Sequence, residues 1–219
     1  MNTKNTALFS GIFLLLMTAL AIYAEMGVRQ RLIIPGDAVR SVQNIRTNID
    51  LFRNGMIAFT MVGVLDILVA ITLYYLFASA QRTMMLLSAL IRIAYAVVLF
   101  IAIGYWNRAL QSAGTNADPS AVMAQMDAFS ALWKSGLSLF GIHLILLGFV
   151  MDRSFFAPGW LGWMMVITGG SYALDAVLRV VMPEWTIEFA AFVGWGEIVL
   201  MVWLFWKSRM LSNGQFNAE

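Results

Sequence analysis

The sequence predicts an all-α fold, a polytopic transmembrane helix bundle of six spans with a surface amphipathic helix between spans 1 and 2. Three observations lead there. The 219-residue chain is 61% hydrophobic and only 12% charged, and its mean hydropathy of +0.78 lies outside the range of ordinary soluble domains. It contains six apolar runs close to the ~20 residues a helix needs to cross a bilayer. The charged residues fall mainly between those runs. Six spans use up most of the chain, so residues 1–210 read as a single transmembrane bundle domain and 211–219 as a polar C-terminal tail.

The first run, residues 7–24, follows Lys4 in the manner of a signal peptide. Ile22 and Ala24 make a poor small-x-small cleavage site, so it reads as a retained helix. Gly11, Thr18 and Glu25 repeat every seven residues along one packing stripe. Residues 26–54 carry Arg29, Arg31, Arg40, Arg46 and Arg53, with Pro35-Gly36 as a break. Asp37 is placed to cap a helix whose apolar edge is Val42, Ile45, Ile49 and Phe52. That pattern fits an amphipathic helix at the membrane surface, or a solvated connector extending the next span.

The second run, 56–77, has Asp66 near its middle, and the third, 84–105, has Arg92 with Ser88 and Tyr95 on the same face. The short link between them makes these helices antiparallel neighbours. Residues 106–128 read as a polar loop in which Asp118-Pro119 starts a short surface helix. The fourth run, 129–151, has Lys134 near its start, where it can snorkel, and His143, the one histidine of the chain. The fifth, 159–182, carries Asp175 and Arg179 four residues apart, with Thr168, Ser171 and Tyr172 on the same face. Trp160 and Trp163 are interfacial anchors at its start. The sixth, 188–206, has Glu197 just after Gly194-Trp195-Gly196 and ends at Trp203 and Trp206, before Lys207 and Arg209.

An even number of spans puts both termini on one face. The short cationic pieces at that face, with Lys4, Arg82, Arg153, Lys207 and Arg209, favour cytoplasmic termini in a multi-pass protein of a bacterial inner membrane. At about 1.5 Å per residue, Arg92 and His143 lie about 12–14 Å from the terminus-bearing face, Glu197 about 15 Å and Asp66 about 19 Å. These four form a central polar layer. Asp175 falls at about 25 Å, with Arg179 and Glu25 beyond it, in a second layer.

Charges at membrane depth are costly and mark functional sites or mutually neutralised pairs. Asp66, Arg92, His143, Glu197, Asp175 and Arg179 are therefore the candidate ligand-binding residues. His143 and Glu197 are also the candidate catalytic pair, as base and acid. Each has a structural alternative: Asp66–Arg92 and Asp175–Arg179 as ion pairs, and His143 as a hydrogen-bonded core histidine. Glu197 has no basic residue within one turn, so it needs a partner on another helix, a proton, or water. The glycines at 136, 141, 148, 162, 169 and 170 favour close helix packing.

Several chemistries are set aside. With no cysteine there are no disulfides or thiolates, and no catalytic, nucleotide or cofactor motif is present. A formal charge of +2 with dispersed cations gives no footprint for nucleic acid. One histidine and no cysteine make no strong zinc site, so no metal or cofactor is assigned, although a site of His143 with Asp66 and Glu197 could still bind a metal. The expected partners are the lipid bilayer and a small-molecule or lipid-like ligand. Three roles stay open: binding or transport of a small ligand, anionic in one version, or a proton; an intramembrane acid/base enzyme on an amphipathic substrate; and a non-catalytic assembly or regulatory subunit.

Gly36-Asp37, Asn44-Ile45, Leu51-Phe52-Arg53, Asp66, Leu73-Tyr74, Arg92, His143 with Gly148, Arg153-Ser154 with Pro158 and Leu161-Gly162, Gly170 with Tyr172, and Glu197 with Trp203-Leu204 together resemble a bacterial membrane family. It is a domain-of-unknown-function family, number 4386, and the resemblance covers roughly residues 7–207. It implies a compact membrane protein of about six or seven helices, with no catalytic residues to carry over. Asp66, Arg92, His143 and Glu197 coincide with the family's motif positions.

Overall fold

A computed structural model describes residues 2–115, 117–182, 184 and 187–212. The part of the expected polar tail beyond residue 212 lies outside them. Among the described residues the regular structure is helical and contains no strand. The order is α1 (Thr3–Ile22), a π-helical segment (Tyr23–Arg29), α2 (Gln30–Leu32), α3 (Ala38–Thr47), α4 (Ile49–Phe77), α5 (Arg82–Ala113), α6 (Pro119–Asp152), α7 (Gly159–Val181), α8 (Ala190–Val193) and α9 (Gly196–Ser212).

Among the described residues, five stretches are long and apolar enough to cross a membrane: Thr3–Leu32, Ile49–Phe77, Arg82–Ala113, Pro119–Asp152 and Gly159–Val181. They are the first five expected spans. The sixth corresponds to α9, whose 17 residues extend about 25 Å, the short limit for a span. It begins at Gly196 rather than near 188, because Gly194 and Trp195 break the chain after the single turn of α8. Ile57, Met61, Val64, Leu68, Ile71, Leu90, Val97, Ile101 and Ile167 stay exposed along the long helices, an apolar surface that suits acyl chains.

The helices outrun the apolar runs that announce them. No separate surface helix follows Asp118. Instead α5 continues to Ala113 and α6 begins at Pro119, running 34 residues without a break. Proline is suited to the first helical position, and no glycine or proline interrupts residues 120–135. Asp118 caps the start by accepting the Ser120 N–H at 3.1 Å, which holds its carboxyl below the usual carboxylate range.

The chain divides into two compact units. One comprises residues 16–64 and 96–136. Its core is an aromatic cluster in which fully buried Trp106 meets Phe52 at 5.1 Å, Phe59 at 5.6 Å and Phe129 at 5.1 Å between ring centroids. The amphipathic helix α3 belongs here. Asp37 caps it by accepting the Arg40 N–H at 2.9 Å. Gly36, with φ of +80°, makes the preceding turn in the left-handed region where a side chain is disfavoured. Val42, Ile45 and Phe52 of the predicted edge are buried in this unit. Arg46 closes the end of α5, donating to the carbonyls of Ala113 and Thr115, both at 2.7 Å. In the π-helical segment Arg29 pairs with Glu25, and Arg29 Nε lies 2.7 Å from Glu25 Oε2.

The other unit comprises residues 1–15, 65–95 and 137–219. Here α6 and α7 run backbone against backbone. A Cβ on Gly141 would lie 2.7 Å from the Gly169 carbonyl oxygen, and one on Gly162 would lie 2.6 Å from that of Gly148. Both helices space these glycines by seven, so the antiparallel pairs 141/169 and 148/162 fall in register. All four residues of the central polar layer lie in this unit.

Candidate functional site

Arg92 organises the site. It lies on α5 with none of its surface exposed, where an unpartnered guanidinium would be very costly. Its fork reaches three helices. Nη2 lies 2.7 Å and Nε 3.0 Å from Asp66 Oδ1 on α4. Nη1 lies 2.7 Å from Glu197 Oε1 in the first turn of α9 and 3.1 Å from His143 Nε2 on α6. The Phe140 ring, one turn before His143, lies 5.1 Å from the guanidinium carbon. A planar fork with several directed donors meets all of these partners, which a lysine ammonium cannot do in the same geometry.

The hydrogen bonds assign the histidine tautomer. Arginine only donates, so His143 Nε2 accepts and the ring proton resides on Nδ1. Nδ1 lies 3.0 Å from the Ser88 carbonyl oxygen, which takes that proton, and 2.9 Å from Ser88 Oγ. Ser88 Oγ in turn donates to the His143 carbonyl at 3.0 Å. Ser88 precedes Arg92 by one turn, so a single face of α5 presents both residues to α6. The imidazole is neutral, because a second ring proton would face the guanidinium N–H directly.

Glu197 is the least enclosed member, with 12% of its side chain exposed against 1% for Asp66 and none for Arg92. Its position depends on Gly196. A Cβ there would collide with Thr168 Oγ1 and come within 2.7 Å of Met165 Cε, so only glycine lets α9 start this close to α7. The helix N-terminus also favours a carboxylate at this place. Phe140 is packed by Tyr95 at 5.2 Å and Tyr172 at 5.5 Å, which fixes the floor under Arg92.

Asp66, Arg92, His143 and Glu197 thus come together, while Asp175 and Arg179 do not join them. Asp175 is buried, and its carboxylate accepts the backbone N–H groups of Phe189 at 2.7 Å and Ala190 at 2.9 Å. The carboxylate is thus held by two backbone donors at the start of α8, rather than by the local pairing with Arg179 that the spacing suggests. Thr168 Oγ1 donates to the Val193 carbonyl at 3.0 Å, so the polar face of α7 serves to hold α8. Half-buried Arg179 lies near the end of α7.

The metal-capable set of His143, Asp66 and Glu197 needs correcting as well. Among the described residues no three metal-ligating side chains converge, because the Arg92 guanidinium stands between the imidazole and the carboxylates. Phe140 escaped sequence reasoning. Its one signal is the three-residue spacing to His143, which an ordinary core aromatic would share.

The family model described as "Domain of unknown function (DUF4386)" matches residues 9–208. A relative from Archaeoglobus fulgidus, named only as an uncharacterized protein, is 29% identical over 158 residues, covering 72% of this chain and 86% of the relative. No solved structure matches. With a match that takes in every residue of the Arg92 cluster and nearly the full length of the bundle, this multi-pass helical chain belongs to the DUF4386 family.

Proposed function

We propose that the Arg92 cluster is a proton-binding site, in a cell-membrane protein that binds or moves a small anionic ligand together with a proton. One observation carries this reading. Two carboxylates face a single guanidinium and a neutral imidazole, so full ionisation would leave one uncompensated negative charge at membrane depth. A single proton shared by Asp66 and Glu197 removes that charge. Glu197, the more accessible of the two acids, is the one that a proton can reach from outside the cluster. On protonation its hold on Arg92 Nη1 weakens, and the guanidinium gains a donor for a carboxylate or phosphate group. Both ring nitrogens of His143 are engaged, which favours this reading over acid/base catalysis by His143 and Glu197.

Infrared difference spectroscopy of the protein in lipid tests it. The wild type is expected to show one protonated carboxyl near neutral pH that ionises as pH rises. Glu197→Gln should remove that band, and Glu25→Gln should leave it. Two carboxylates ionised throughout, with no change in Glu197→Gln, would mark the cluster as a lock between helices, the structural alternative.

A further inference from the structure

Away from the Arg92 cluster, the unit of residues 1–15, 65–95 and 137–219 has two adjoining cavities where the α6–α7 turn meets the last turns of α9. One, of about 600 Å³, has aromatic walls that include Trp160, Trp203 and Trp206. The other, of about 550 Å³, includes Arg153, Ser154 and Ser79. They share Phe155, Phe156 and Lys207.

The shared residues are held in place. Phe156 packs edge-on against Trp203 at 5.3 Å and Phe77 at 5.5 Å. The Lys207 ammonium lies 5.4 Å from the centre of the Phe156 ring, at the junction of the two cavities. Ser154 Oγ accepts the Phe156 N–H at 3.0 Å and keeps its own hydroxyl proton to donate. Phe155 is fully exposed, a poor arrangement in water and a good one among lipid headgroups.

From this geometry we propose that the paired cavities bind an anionic phospholipid of the adjacent leaflet. The phosphodiester lies between Lys207 and Arg153, and the glycerol and first acyl methylenes lie along Trp160 and Trp206. Two cations beside a wall of tryptophans match a ligand with one negative charge and an apolar body. The site is independent of the Arg92 cluster and stands or falls separately.

Native mass spectrometry of the full chain in detergent tests the assignment, with phosphatidylglycerol and phosphatidylcholine of identical acyl chains as probes. The wild type should retain phosphatidylglycerol roughly fivefold or more over phosphatidylcholine, as expected for cations at an anionic headgroup. Lys207→Gln with Arg153→Gln should bring the ratio to near parity at an unchanged melting temperature. Arg108→Gln, an exposed cation on α5 in the other unit, should leave it unchanged. If the double variant fails to fold, Lys207→Gln alone should still lower the preference severalfold. Parity in the wild type, a preference that survives the substitutions, or displacement by equimolar free glycerol phosphate would each overturn the proposal.

Discussion

Arg92 Nη1 lies 2.7 Å from Glu197 Oε1, although 105 residues separate them in the chain. This contact ties the first turn of α9 to the middle of α5, and makes Arg92 the partner that Glu197 lacks locally. The two residues should therefore respond very differently to substitution. Arg92→Leu would leave the buried Asp66 and the half-buried Glu197 carboxylates without their shared cation and is expected to cost about 3–5 kcal/mol. Glu197→Gln keeps an acceptor toward Nη1 and the Asp66–Arg92 pair intact, so its stability should fall within about 1 kcal/mol of wild type. Thermal unfolding of both variants in one detergent measures the contrast. Equal losses would mean that Glu197 acts only as a structural counter-ion.

His143 provides a second test, because the tautomer follows from which partners donate. Nitrogen NMR of the imidazole should show the proton on Nδ1, facing Ser88. Replacement by leucine removes an acceptor from Arg92 and the partner of the Ser88 carbonyl, with an expected loss of about 1–3 kcal/mol. Glutamine, which can still accept from Arg92, should recover part of that loss. A ring proton on Nε2 would contradict the arrangement around Arg92.

How far these features could be read in advance varied with their physical origin. The first five spans were legible because hydrophobic length alone defines them, and Asp66 with Arg92 because two opposite charges lay on helices joined by a short turn. The ends of α5 and α6 were not, since an apolar run marks the part of a helix that suits lipid, whereas the helix continues until a breaker such as Gly114 intervenes. Glu197 was legible as a charge in need of a partner, but which partner depended on how α9 packs, set by Gly196 against Thr168. For Asp175, the basic residue one turn away was the evident mate in sequence. The backbone donors of α8 became visible only once residues 189 and 190 were folded back over α7.

The α6–α7 seam yields a prediction with an internal control. Gly141 and Gly170 both lie in apolar helices, and sequence alone does not separate them. A Cβ on Gly141 would press on the Gly169 carbonyl at 2.7 Å, whereas one on Gly170 meets nothing within 4 Å. Gly141→Ala must push two backbones apart, and is expected to cost about 1–3 kcal/mol. Gly170→Ala should be neutral or stabilising by up to about 1 kcal/mol, from helix propensity. Melting temperatures shifting together in the same direction would contradict the seam.

Asp175 provides the last prediction, and it concerns local order. Its two oxygens accept the N–H groups of Phe189 and Ala190, a charge-assisted cap on a helix of only four residues. So short a helix has little stability of its own. Asp175→Asn keeps one acceptor oxygen but loses the charge and the second acceptor, which should weaken the cap by about 1–2 kcal/mol. The effect should appear as faster amide exchange at residues 189–194, with the α6–α7 seam protected as before and the melting temperature little changed. Because α8 leads directly into Gly196 and Glu197, loosening it should also loosen the Glu197–Arg92 contact. The variant should then shift the infrared carboxyl band of the Asp66–Glu197 pair without touching any residue of the cluster. A band that stays in place while α8 exchanges faster would show that α9 is positioned by Gly196 and its packing on α7 alone.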